Sequence, residues 1–153
     1  MRARTRLAYA LATWAGAGLM KPAPGTWGSV AAVPLHWILC GFSPTVHVAS
    51  TLLVTVLGVW AGQEVANHRG TKDPQIVVID EVVGTLIAMG AVRTGPLWLQ
   101  ALALVLFRLF DITKPGPIRK AENVSPPGVG IMFDDVLAGG LAALVVIGVR
   151  LAL

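Results

Sequence analysis

Eight carboxylates carry most of the reactive chemistry of this chain, and all lie between Glu64 and Asp135. They are Glu64, Asp73, Asp80, Glu81, Asp111, Glu122, Asp134 and Asp135. Four of them form the adjacent pairs Asp80-Glu81 and Asp134-Asp135, each set in apolar sequence. Carboxylates in apolar surroundings are costly unless paired with a cation or bound to metal. An oxygen-only donor set, with no histidine cluster beside it, suits a hard cation such as Mg²⁺. Complementing a helix dipole explains Asp134 or Asp135 singly. It does not explain Asp80 and Glu81, which sit among apolar residues. Glu64, Asp80 and Asp134 are therefore the expected metal ligands, with Glu81, Asp135 and Asp111 as further ligands or their neighbours.

Two basic segments accompany the acids. Arg108 precedes Asp111, and Lys114 is held between Asp111 and Pro115. A carboxylate cage with Lys and Arg beside it is a setting for phosphoryl transfer, in which cations clamp phosphate oxygens. The stretch from Lys21 to Ser29 reads as a second anion-binding element. There Gly25 and Gly28 permit close backbone approach, Thr26 and Ser29 offer hydroxyls, and Lys21 offers charge. A plain turn with Ser29 capping a helix is the competing reading. Gly128 to Met132, ahead of Asp134, reads as another close backbone approach.

Other nucleophiles are poorly placed. Cys40 is the single cysteine and lies in an apolar run, so it is expected to be a buried structural thiol. It lacks the arginine-bearing loop a cysteine phosphatase needs. His36 and His47 flank a turn without carboxylates and are expected to be structural. His68 follows Glu64 by four residues and reads as an interfacial histidine, with contact to substrate or to a metal ligand as the alternative. The five tryptophans are expected at a membrane interface or in packing.

These residues must be positioned by apolar segments. Runs over 30–39, 46–61, 76–92, 97–110 and 133–153 are separated by glycine and proline breakers. Met1 to Met20 carries Arg2, Arg4 and Arg6 and reads as a retained amphipathic or interfacial helix. The first apolar run is shorter than the roughly 20 residues of a full membrane span. If the segments zigzag, the connections at 41–45 and 93–96 fall on one side and hold no carboxylate. The connections at 20–29, 63–75 and 111–132 fall on the other, and the acids converge there. Lys21, Arg69, Lys72, Arg108, Lys114, Arg119 and Lys120 share that side, against Arg93 and Arg150 opposite. Such a bias makes the polar face cytoplasmic.

Composition agrees with a membrane setting. Of 153 residues, 55% are hydrophobic and 13% charged, against about 25% charged in ordinary globules. The mean hydropathy is +0.72. The net charge of +4 suits contact with anionic lipid headgroups. Without a dense basic stripe or interleaved aromatics, a nucleic-acid partner is not expected. The length fits one domain over residues 1–153. The expected fold is all-α, a multi-helix integral membrane bundle with polar active-site loops at its cytoplasmic end.

Four stretches in order resemble the phosphatidylglycerophosphatase A family. They are Pro24-Gly25-Thr26-Trp27-Gly28-Ser29, the run from Asp73 to Gly84 containing Asp80-Glu81, the run from Phe107 to Ile118, and the run from Gly128 to Gly139. The resemblance implies a Mg²⁺-dependent phosphatase of the bacterial inner membrane. It would remove the terminal phosphate of phosphatidylglycerophosphate, leaving phosphatidylglycerol. The loop after Lys120 is less typical, and Glu122 is read as a solvated bystander. In the resulting scheme Glu64, Asp80, Asp134 and Asp135 hold metal, Asp80 counts among the catalytic residues, and Glu81 or Asp111 orients or deprotonates water, with a covalent phospho-aspartate as the open alternative. Lys21, Gly25, Thr26, Gly28, Ser29, Arg108 and Lys114 hold the substrate, and Asp73 shapes its loop. The rivals are a small ion transporter, which should place carboxylates mid-membrane, and a non-catalytic scaffold, which has no use for Asp80 and Glu81.

Overall fold

The computed structural model describes residues 2–121 and 124–153, the side chain of Pro117 apart. Glu122 lies outside the described residues. Among them are seven α-helices and one short 3-10 turn, Ala17–Leu19, with no strand. The helices are α1 (Ala3–Ala12), α2 (Pro24–Cys40), α3 (Pro44–Arg69), α4 (Ile79–Gly90), α5 (Leu97–Thr113), α6 (Gly116–Ala121) and α7 (Pro127–Ala152).

Local signals account for most helix ends. Pro44 opens α3, and the hydroxyl of Ser43 accepts the Val46 N–H at 3.3 Å. Gly70 closes α3 in the left-handed region at φ 66°. Three helix starts differ from expectation. α2 begins at Pro24, so most of the expected anion loop is helical. α7 begins at Pro127, which puts Asp134 and Asp135 about two turns inside it. Asp80 and Glu81 instead stand in the first turn of α4. The N-terminal helix stops at Ala12, and the basic loop after Lys114 contains α6, which the sequence reading did not foresee.

α4 is the axis of the molecule. Its Ala88 and Met89 pack with Phe107 of α5 and Ala142 of α7. Its Ile79 and Val83 pack with Ala8 of α1, Val65 of α3 and Met132 of α7. Its Val82 and Leu86 pack with Ala32 and Leu39 of α2. At 12 residues, α4 is about 18 Å long, too short to cross a hydrocarbon core of roughly 30 Å. The 76–92 run is thus not one long helix. α3 and α7, with 26 residues each, are long and apolar enough to cross a membrane by length and composition.

Two glycines let α4 sit this deeply. A side chain on Gly84 would strike the Phe107 ring, and one on Gly139 would come within 2.6 Å of the Gly84 carbonyl oxygen. Backbone-to-backbone contact of this kind brings the first turn of α4 against turns of α7 that lie about two turns in from Pro127. The carboxylate pairs ride on those turns.

At the opposite end, His36 and His47 are buried edge to face, with ring centroids 5.5 Å apart. The His47 ring meets the Leu86 carbonyl at 3.1 Å. Arg93 donates to the carbonyls of Leu39, Cys40 and Phe42. Cys40 is only half-buried, not fully enclosed as expected. Its sulfur lies 3.4 Å from His36 Nε2.

Candidate metal and phosphate site

The N-termini of α2 and α4, the C-terminus of α5 and the second turn of α7 meet around an open cavity of about 450 Å³. α4 contributes Asp80 and Glu81, α5 contributes Arg108 and Asp111, and α7 contributes Asp134 and Asp135. Lys114 enters from the end of α5, where it takes a left-handed conformation at φ 42°.

Ion pairs lock these groups in place. Arg108 Nη1 lies 2.7 Å from Asp111 Oδ2, one turn along the same helix, and 3.8 Å from Glu81 Oε1. Lys114 Nζ donates to Asp134 Oδ2 at 2.8 Å. The other oxygen of Asp134 accepts the Asp135 N–H at 3.1 Å. Gly25 of α2 stands where a side chain would collide with Glu81 Oε1 and approach Arg108 Nη2 to 3.1 Å. The α2 N-terminus therefore lies directly against the Glu81 carboxylate, with its positive dipole end toward negative charge.

The charges do not balance. Among the described residues lining the cavity, Asp73, Asp80, Glu81, Asp111, Asp134 and Asp135 stand against two cationic side chains, Arg108 and Lys114. One oxygen each of Asp80, Glu81 and Asp135 is buried and accepts no hydrogen bond. Buried carboxylate oxygens without donors are strongly disfavoured, so this arrangement calls for a cation. Ligand atoms of Asp80, Glu81 and Asp135 lie within 4.8 Å of one another, as do those of Asp111, Asp134 and Asp135. Asp135, only 2% exposed, belongs to both groups. An oxygen-only donor set with an open side fits a hard cation that keeps some of its waters.

Several expected residues lie elsewhere. Glu64 does not join the cluster: its carboxylate meets Arg4 at 3.3 Å and accepts from the Thr5 hydroxyl, tying α3 to α1. Glu64 is therefore not brought to the cavity with the other expected metal ligands. His68 likewise turns to α1, with Nδ1 3.0 Å from the Tyr9 hydroxyl. Ser29 is buried in α2 and donates back to the Gly25 carbonyl at 3.0 Å, while Gly28 packs on Val78. Lys21 and Thr26 are exposed and do not line the cavity. Of the expected anion loop, Ala23, Pro24 and Gly25 reach the site, and the rest is carried away in α2, which begins at Pro24.

Asp73 and Gln75 line the cavity from the α3–α4 connection. The sequence suggests only a loop-shaping role for Asp73 and none for Gln75. A signal for both was present, since they fall in the same run as Asp80-Glu81. Gly128 does make a close approach, its N–H donating to Gln63 Oε1 of α3 at 2.9 Å.

The fold and the site together define an all-helical protein with an acidic, cation-demanding cavity flanked by two basic side chains. The model of the phosphatidylglycerophosphatase A family matches residues 10–150, and this chain belongs to that family. It is 40% identical over 144 residues to a Haemophilus influenzae protein named phosphatidylglycerophosphatase A, covering 93% of this chain and 88% of the relative. An Escherichia coli protein of the same name is 36% identical over 136 residues, covering 88% and 78% respectively. A Bacteroides thetaiotaomicron protein, 39% identical with 91% of each chain covered, carries the provisional name phosphatidylinositol-3-phosphatase. No solved structure matches the chain.

Proposed function

We propose that this chain is a membrane-embedded, Mg²⁺-dependent phosphatase that hydrolyses the terminal phosphomonoester of phosphatidylglycerophosphate to phosphatidylglycerol and phosphate. The observation that carries this reading is the convergence of six carboxylates, Arg108 and Lys114 on one open cavity. The names of the Haemophilus and Escherichia relatives supply the substrate.

Asp80, Asp134 and Asp135 would hold the ion, with Glu81 and Asp111 at its edge. Bound there, Mg²⁺ supplies positive charge that neutralises and orients the phosphate oxygens. Arg108 and Lys114 clamp the remaining phosphate oxygens and are themselves aimed by Asp111 and Asp134. Glu81, with one buried oxygen accepting no hydrogen bond, takes a proton from the attacking water. The bond from phosphorus to the glycerol oxygen breaks as the new one forms, and the proton on Glu81 passes to the departing alkoxide. The products are an alcohol and inorganic phosphate.

Exposed Val46, Val48, Leu52, Leu53 and Val56 on α3 support burial of that helix in a bilayer. The bacterial inner membrane, with the acidic cavity toward the cytoplasm, is the setting consistent with the relatives and with the Lys/Arg bias.

The test is phosphate release from phosphatidylglycerophosphate in detergent micelles. Release is expected with Mg²⁺ and is expected to stop with EDTA. Equal release with and without EDTA would remove the metal from the scheme. No release from folded protein under either condition would end the phosphatase reading. A phosphatidylinositol 3-phosphate arm measures whether the Bacteroides relative's name points to a shared substrate.

A further inference from the structure

A second cavity, of about 640 Å³, lies between the α5–α6 connection and α7. Pro115 and Ile118 form one wall, and Val136, Gly140 and Leu144 run along the other. Every residue lining it is apolar. Its near end abuts the acidic cavity through the chain itself. Pro115 follows Lys114, and Val136 follows Asp135, both of which line the acidic site. Val136, Gly140 and Leu144 are spaced by four residues, so the groove follows α7 for about 12 Å away from the carboxylates.

Gly140 sets the shape of this groove. A side chain there would meet no atom within 4 Å, whereas one on neighbouring Gly139 would strike the Gly84 backbone. Helix packing therefore explains Gly139 and not Gly140. A glycine inside a helix is unfavourable relative to a residue such as leucine, so its presence without a packing reason points to the open space it leaves.

We infer that this groove holds one acyl chain of the lipid phosphomonoester whose phosphate lies against Arg108 and Lys114. The inference rests on the phosphatase reading above and adds where the hydrophobic part of the substrate sits. A polar site whose lining residues Lys114 and Asp135 are chain neighbours of the groove residues Pro115 and Val136 matches a molecule with a phosphate at one end and a hydrocarbon chain at the other. It also explains how a lipid is held in register: the chain along α7 fixes how far the headgroup reaches past Pro115.

The test compares kcat/KM for long-chain phosphatidylglycerophosphate with that for its dibutyryl analogue, using the full chain in one detergent. Gly140→Leu fills the groove and is expected to lower the long-chain to short-chain ratio on the order of tenfold, through KM, as about two methylenes lose their burial. Leu144→Gln, at a position 70% exposed, should lower the ratio in the same direction without disturbing packing. Gly148→Leu serves as the control. It too has open space around it, lies on the same helix and does not line the groove, so its ratio should stay at the wild-type value.

An unchanged ratio in Gly140→Leu and Leu144→Gln overturns the groove assignment while leaving the phosphatase intact. An equal fall with both substrates also overturns it, since the effect would then lie in the acidic site. A wild-type protein that hydrolyses neither substrate removes the phosphatase reading, and this inference with it.

Discussion

Asp135 is the residue on which the acidic cavity turns. It is nearly fully enclosed, one of its oxygens accepts no hydrogen bond, and it belongs to both sets of closely spaced carboxylates. Asp135→Asn should lower kcat by at least about a hundredfold, since even residues that only support metal ligands are worth roughly 10- to 100-fold. Glu64→Gln should leave the rate near wild type, because Glu64 pairs with a largely exposed Arg4 and such pairs contribute about 0–1 kcal/mol. Measuring both variants against Mg²⁺ concentration separates the two roles. A wild-type Mg²⁺ response in Asp135→Asn, or its loss in Glu64→Gln, would reverse the assignment. The sequence exposed the Asp80-Glu81 and Asp134-Asp135 pairs because unbalanced charge in apolar runs is conspicuous. It grouped Glu64 with them, whereas the structure sets Glu64 against Arg4 of α1, because helix periodicity does not reveal which neighbour a side chain faces.

Among the elements, α4 decides whether the site exists. Its contact with α7 depends on Gly84 and Gly139 meeting backbone to backbone. Gly139→Val should separate the helices, cost about 1–3 kcal/mol as overpacking does, and lower both the midpoint of thermal unfolding in detergent and the rate. Full activity with an unshifted midpoint would show that the helices close by another route. Hydrophobic periodicity and glycine–proline punctuation placed the apolar bodies of α2, α3, α5 and α7, while the runs 30–39, 46–61 and 133–153 each stop about six to eight residues short at one helix end. They missed α6 and the early starts of α2 and α7, because proline at a first helical turn resembles a loop breaker in sequence. That ambiguity is also why an anion loop was expected where Ser29 in fact donates within α2.

For the whole molecule, the outward apolar face of α3 and the one-sided distribution of charge make the membrane reading testable. The protein should remain in the pellet after alkaline carbonate extraction. In a Cys40→Ser background, Lys72→Cys should react with an impermeant maleimide in inverted vesicles but not in intact spheroplasts. Labelling from the outside would invert the orientation, and release by carbonate would detach the protein from the bilayer. The two halves of the acidic cavity also differ in when they are synthesised. Asp80, Glu81, Arg108 and Asp111 leave the ribosome well before Asp134 and Asp135. The early group carries its own countercharge, because Arg108 serves both Asp111 and Glu81. Both groups of closely spaced carboxylates include Asp135, so neither is complete until α7 docks. Metal demand would then begin at the last step of biogenesis, keeping a half-made protein from sequestering cations.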